Sequence, residues 1–399
     1  MATRRAARLP CGDGLRAVAA FTVFWTHIGF LTGATFNSAV GPLLARFDVG
    51  VAIFFALSGF LLARPYVVAI LDETRFPDRR SFYARRLRRI VPAYWVALTA
   101  TYLWLRPDSA TLAKGLDYPL HYLFLQVYPG GTLQKGISPG WTLAVEMSFY
   151  AALPLLAVAA GRAVRGLDGP SRKAVGLLGL LTASVVLTNV WSGLIYGQQW
   201  PTQAVLWLPG MFDHFAVGIA CAVLAVWADR RPMPRPLVEA LGRHDLLWWL
   251  AAFGLMAFVS NQMELVAGLK HTSWDRELVR HGIYTAVAVL MLLPVVFGPQ
   301  DRGLVRRFLQ WKPISAFGVV SYGFFLWHVP LIESAIRLTH QKVFLDWSHG
   351  LGMFSGDVVR PTALAFALAT VAATASWFVV EKPLVRGRNR PRIVEQAAP

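Results

Sequence analysis

The chain has 399 residues, 55% hydrophobic and only 15% charged, with a mean hydropathy of +0.47. Soluble domains carry about 25% charged residues, so this balance excludes a disordered chain and argues against a soluble globular enzyme. Lys and Arg outnumber Asp and Glu by 39 to 22, giving a net charge of +17, but they sit in short clusters between apolar stretches. No single basic patch forms, which sets nucleic acid aside as a partner. Cys11 and Cys221 are too few for a disulfide framework. The composition is that of an integral membrane protein.

A bilayer core of about 30 Å takes roughly 20 apolar residues per helix. Ten stretches answer that description: 15–34, 49–71, 92–105, 140–160, 174–192, 207–227, 246–262, 282–298, 314–335 and 361–380. The expected fold is therefore all-α and polytopic, with about ten transmembrane helices. The third stretch is short unless its helix begins inside the basic segment before it. The ninth carries Gly318, Gly323 and Pro330 and is expected to be kinked or discontinuous.

Lys and Arg assign the orientation. With the N-terminus inside, 28 of the 39 fall on that side, seven of them within 72–91, and ten fall on the other, with Arg64 inside a span. Both termini are thus expected in the cytoplasm. The first apolar stretch follows an Arg-rich start, but at about 20 residues it exceeds the 7–15-residue core of a signal peptide and is read as a span. No linker or internal repeat stands out. The expected organisation is one membrane domain over 1–385 and a basic cytoplasmic tail over 386–399.

Ionisable groups within a span are costly and mark function by default. In chain order, the first are Arg16 and His27. Eleven residues make three helical turns plus about 20°, so the two share a face, about 16 Å apart along the axis. A guanidinium at the membrane edge suits a phosphate, and a neutral imidazole deeper in suits proton abstraction. The bland reading is a topology anchor and a packed histidine. Gly50 to Phe60 carries small residues at helical spacing, which is ordinary close packing. Ser58 within it is a sharper candidate nucleophile, but it lacks the G-x-S-x-G elbow.

The run Arg85-Arg86-Leu87-Arg88-Arg89 is denser than orientation requires and suits a polyphosphate or anionic headgroups. Glu146 and Tyr150, four apart, share a helix face, and a carboxylate in a span must be paired or protonated. Either it orients His27, as the acidic member of a triad does, or it pairs with an arginine such as Arg16 or Arg85. His328, beside Pro330, is expected to line a cavity or to pack; Asp213 and His214 repeat that observation more weakly. No metal-ligand spacing, P-loop or dinucleotide fingerprint is present.

These segments, in order, resemble the acyltransferase-3 family of membrane O-acyltransferases. The resemblance rests on Arg16 and His27, on Ser58-Gly59-Phe60, and on Arg85, Arg86, Arg89, Ile90, Pro92 and Tyr94. It continues through Trp141-Thr142-Leu143 with Glu146, Phe149 and Tyr150, then Ser321-Tyr322-Gly323 to Trp327-His328-Val329-Pro330, and Glu381-Lys382-Pro383. It implies transfer of an acetyl or other short acyl group from cytoplasmic acyl-CoA, a cosubstrate rather than a resident cofactor, to a hydroxyl. His27 would be the general base or a transient acyl carrier, with Glu146 its orienting partner. Arg16, Arg85, Arg86 and Arg89 would hold the CoA phosphates; Trp141, Tyr150, Tyr322 and His328 would contact substrate. No metal is implied.

Some members of the family append a soluble hydrolase-like domain. With eighteen residues after Glu381, this chain resembles the standalone form. The expected acceptor is an envelope saccharide or glycolipid, or else a glycosylated antibiotic such as a macrolide. The expected location is the cytoplasmic membrane of a bacterium, in contact with lipid, with self-association left open. Two other classes compete: a transporter or flippase for an anionic lipid or glycan, and an intramembrane hydrolase using Ser58.

Overall fold

The fold is described from a computed structural model over residues 9–105, 115–133, 135–197, 201–230, 240–262, 274–339 and 354–386. Of the expected tail, all but Arg386 lies outside the described residues. All ten expected spans are helical: α1 (Gly12–Leu31), α2 (Gly50–Leu71), α3 (Arg79–Ala100), α4 (Trp141–Ala163), α5 (Gly169–Gly197), α6 (Leu208–Arg230), α7 (Asp245–Gln262), α8 (Trp274–Val296), α9 (Lys312–Leu338) and α10 (Gly356–Ser376). No strand occurs among the described residues. Eight of these segments are long and apolar enough to cross a bilayer, α7 is a shorter apolar helix, and α3 is too basic at its start to count with them. The protein is an all-α, multi-pass membrane protein.

The third helix does begin inside the basic segment. Asp78 caps it, its carboxylate accepting from the Ser81 N–H at 2.7 Å, so the arginine run becomes the first three turns of α3 instead of a loop. That places arginines at helical spacing along one cylinder. After Ala100 the chain continues in a π-helical turn over Thr101–Leu105. The ninth span is not discontinuous: α9 is one helix of 27 residues through Gly318, Gly323 and Pro330. A proline removes one N–H and loosens the carbonyls a turn back. Here the His328 ring donates to the Phe325 carbonyl at 2.7 Å, and Ser334 to the Pro330 carbonyl at 2.8 Å. The carbonyl that loses its N–H partner to Pro330 is that of Leu326, and these two side chains instead brace the helix on either side of the proline.

Helix packing rests on small residues at the closest approaches. A Cβ on Gly218 of α6 would stand 1.9 Å from the Ala56 carbonyl oxygen of α2, so the two backbones touch there. A Cβ on Gly318 of α9 would stand 1.8 Å from the Asp13 carbonyl oxygen, which docks the start of α1 against α9. The basic residues beyond Gly298 do more than set orientation. Arg306, 2% exposed, donates to the carbonyls of Pro294, Phe297 and Gly242 and locks the turn between α8 and α9. Lys173 pairs with Glu73 across the ends of α5 and α2 and holds that carboxyl below its ordinary range.

Candidate active site

Five helices surround a cavity of about 300 Å³. Each contributes at the spacing its helix dictates. From α2 come Val51, Phe54, Phe55, Ser58, Leu61 and Leu62, an i, i+3, i+4, i+7 face. From α4 come Thr142, Glu146 and Tyr150, successive residues of one i, i+4 row. Arg86, Arg89 and Ile90 enter from α3, Ser321, Tyr322 and Phe325 from α9, and Arg16 from α1.

The electrostatics are lopsided: three guanidiniums face one carboxylate. Glu146 accepts two hydroxyl hydrogen bonds on one oxygen, from Ser58 at 2.6 Å and from Tyr150 at 2.5 Å. Arg16 donates to Asp13 at 2.6 Å, a pair only about a fifth exposed. The Nε of Arg86 is buried with no hydrogen-bond partner among the described residues. An unpaired buried guanidinium nitrogen beside a cavity is costly, and an anionic ligand relieves that cost. Tyr322 is committed otherwise: its hydroxyl donates to the Ile90 carbonyl at 2.8 Å, tying α9 to α3 at the cavity wall.

His27 does not line this cavity. It lies about 16 Å further along α1 than Arg16, next to His328 of α9; the ring centroids are 4.9 Å apart and His328 Nε2 is 3.3 Å from His27 Nδ1. Phe325 connects the two places. It lines the cavity, and its ring centroid is 5.5 Å from that of His328 and 6.1 Å from that of Phe54. Ser321, Phe325 and His328 form one face of α9 that runs beside the Arg16–His27 face of α1.

The structure thus distributes the sequence-based candidates unevenly. Arg16, Arg86, Arg89, Glu146, Tyr150 and Tyr322 converge on the cavity, while Arg85 is exposed and outside its lining. Trp141 is half-buried and packs in the apolar cluster around α3 and α4. His328, 1% exposed, stands behind His27. Glu146 has Ser58 and Tyr150 as hydrogen-bond partners and makes no hydrogen bond to His27, because it belongs to the cavity and the histidine lies deeper. Ser58 was legible as part of a small-residue stripe and as a candidate nucleophile, but not as a partner of Glu146. Its signal was a hydroxyl in mid-span that needs an acceptor, and the acceptor lies 88 residues away.

A second polar cluster sits between α6 and α8. Asp213, 1% exposed, accepts from His281 at 2.8 Å and from Thr285 at 2.7 Å; Thr285 also meets His214 Nδ1 at 2.9 Å. The donor atoms of Asp213, His214 and His281 lie within 4.8 Å of one another. The two imidazoles are stacked, centroids 4.4 Å apart and planes 27° apart. Metal-bound imidazoles direct in-plane lone pairs at one point, and stacked planes do not. The arrangement is a hydrogen-bonded tie between helices.

The profile of a family described as an acyltransferase domain matches residues 11–382. The chain belongs to this acyltransferase-3 family. It is 27% identical over 338 residues to the putative peptidoglycan O-acetyltransferase YrhL of Bacillus subtilis, covering 81% of this chain and 48% of that one. It is 25% identical over 341 residues to the peptidoglycan O-acetyltransferase OatA of Listeria monocytogenes, covering 81% and 49%. Against the O-acetyltransferase OatA of Staphylococcus aureus it is 24% identical, covering 81% and 50%. The chain spans about half the length of these curated relatives. No solved structure matches.

Proposed function

We propose that this protein is an O-acyltransferase of the bacterial cytoplasmic membrane. In this reading it carries a short acyl group, acetyl foremost, from acyl-CoA to a hydroxyl of an envelope saccharide or glycolipid. The observation that carries the reading is the cavity, with Arg16, Arg86 and Arg89 around a space adjoining the His27–His328 pair. Guanidiniums recognise phosphate oxygens through paired N–H donors, which suits the diphosphate and 3′-phosphate of CoA. The cytoplasmic side is the one assigned by the excess of Lys and Arg. The pantetheine arm then runs along the α1 and α9 faces and delivers the thioester to His27, with Phe54 and Phe325 parting to admit it. The peptidoglycan O-acetyltransferases among the relatives favour a polysaccharide acceptor of the envelope.

The chemistry asked of His27 is proton transfer. The acceptor hydroxyl gives its proton to a ring nitrogen as its oxygen attacks the thioester carbonyl. The tetrahedral intermediate collapses with cleavage of the carbon–sulfur bond, and the leaving sulfur takes the proton back. Thioester and alcohol become ester and thiol with no other reactant. Positioned acid–base catalysis of this kind contributes about 10²–10⁴-fold.

The test is release of CoA thiol from acetyl-CoA by detergent-purified protein, with labelled acetyl followed into extracts of envelope saccharides, lipids and glycosylated metabolites. Release that requires His27, with label in the envelope fraction, is the expected result. Label only in glycosylated metabolites would move the acceptor to an antibiotic. Release indifferent to His27→Ala, or none with any short acyl-CoA, would overturn the reading and favour the transporter.

A further inference from the structure

Two neighbouring histidines raise the question of which nitrogen carries which proton, and the surroundings answer it. A neutral imidazole has one N–H and one lone pair, and hydrogen-bond partners choose between tautomers. His328 Nδ1 lies 2.7 Å from the Phe325 carbonyl oxygen. A carbonyl only accepts, so that nitrogen bears the proton and His328 Nε2 is left with its lone pair. His27 Nδ1 lies 2.8 Å from the Val23 carbonyl oxygen and 3.3 Å from His328 Nε2. Both neighbours are acceptors, so His27 Nδ1 bears a proton and donates to them. His27 Nε2 is then the nitrogen with a free lone pair, and it has no partner among the described residues.

We infer that His328 is a positioning residue that, together with the Val23 carbonyl, fixes the tautomer and ring orientation of His27 and so makes His27 Nε2 the reacting nitrogen. The inference rests on the acyltransferase reading and deepens it. The role resembles that of a buried carboxylate behind a catalytic histidine, which acts by holding the ring in the right tautomer. Here an imidazole lone pair takes the place of the carboxylate. No negative charge is needed next to the ring, and Glu146 remains with Ser58 and Tyr150 in the cavity. When His27 Nε2 takes a proton, the Nδ1–H bond to His328 becomes charge-assisted and strengthens, so the pair favours the protonated state formed during transfer. His328 is 1% exposed and is itself held by Phe325, which lines the cavity, so the relay is anchored on α9.

The experiment compares His328→Gln, His328→Leu and His27→Ala with the wild type, reading kcat, KM for acetyl-CoA and thermal unfolding in detergent. A glutamine oxygen reaches the place of His Nε2 and accepts a hydrogen bond, while leucine fills the volume and accepts none. The expected result is a kcat for His328→Leu lowered by about 10- to 100-fold, with KM unchanged and much of kcat recovered in His328→Gln. A packing role would give the reverse order, because leucine is the better apolar filler. Should neither variant fold, nitrogen NMR of the ¹⁵N-histidine-labelled wild type decides, His27→Ala identifying the resonance. A proton on Nδ1 of His27 supports the inference; a proton on Nε2 at neutral pH overturns it. A wild type whose CoA release ignores His27→Ala fails the acyltransferase reading itself. A His27-dependent wild type matched by His328→Leu fails only this inference.

Discussion

Two of the clusters of ionisable groups inside the helix bundle differ in what their polar atoms do. Between α6 and α8, the carboxylate of Asp213 is taken up by His281 and Thr285, and Thr285 also reaches His214. That set is closed on itself. Around the cavity the bookkeeping is open: three guanidiniums face one carboxylate, Glu146 is already occupied by two hydroxyls, and Arg86 Nε has no partner among the described residues. An ionisable residue in a span is a functional candidate by default. The contrast sharpens that rule: polar groups satisfied by one another hold helices together, and polar groups left facing a cavity wait for a ligand.

The comparison breaks first at His27, which stands apart from both clusters. His27→Ala should lower acyl transfer by about 10²–10⁴-fold, the usual worth of a positioned acid–base group. Its thermal unfolding should barely move, since the lost hydrogen bonds are one to a carbonyl and one long contact to His328. Next in size is Arg86→Ala. Removing a charged donor to a phosphate costs about 1.5–3 kcal/mol. KM for acyl-CoA should therefore rise about 10- to 100-fold with little change in kcat, and truncated thioesters lacking the nucleotide should show no such difference. Arg85→Ala, an exposed neighbour outside the cavity lining, is the control and should leave KM within about twofold of wild type.

Much of this architecture was legible in the sequence, because helical period and hydropathy are local properties. Each of the ten apolar stretches became a helix, and the start of α3 inside the basic run followed from the shortness of its apolar part. The shared face of Arg16 and His27 is likewise a matter of spacing along one helix. What was not legible is who meets whom. Ser58 finds Glu146 across 88 residues, His27 finds His328 across 301, and Asp213 finds His281 across 68. Such pairings depend on which helices pack, and that is decided by notches such as Gly218 against Ala56 and Gly318 against Asp13. Motif order singled out Glu146 and His328 and offered His27 as one partner of Glu146, whereas the structure sets His328 beside His27 and Ser58 and Tyr150 on Glu146.

Glu146→Gln sharpens the difference between a held carboxylate and a free one. The amide keeps an oxygen for the Ser58 and Tyr150 hydroxyls but removes the charge facing Arg86 and Arg16. If the carboxylate serves to position those hydroxyls and balance the arginines, kcat should fall by about tenfold, the scale of one weakened charge-assisted bond. Acyl-CoA binding, measured directly by equilibrium dialysis, should hold or tighten, since the net positive charge of the cavity rises.

The smallest effect belongs to the closed cluster. Thr285→Val is close to isosteric and removes the hydroxyl that donates to Asp213 at 2.7 Å. Asp213 keeps His281, so the loss is one donor to a buried carboxylate together with the hydroxyl contact of His214 Nδ1, worth about 1–3 kcal/mol. That should appear as a lower unfolding temperature in detergent, with KM and kcat at 25 °C unaltered. Should Thr285→Val instead depress turnover while leaving unfolding untouched, the α6–α8 cluster would have to be moved from the helix-tying class to the ligand-facing one. The rule separating the two regions would then fail at the place where it makes its most economical claim, that a buried carboxylate with every described bond satisfied does no chemistry.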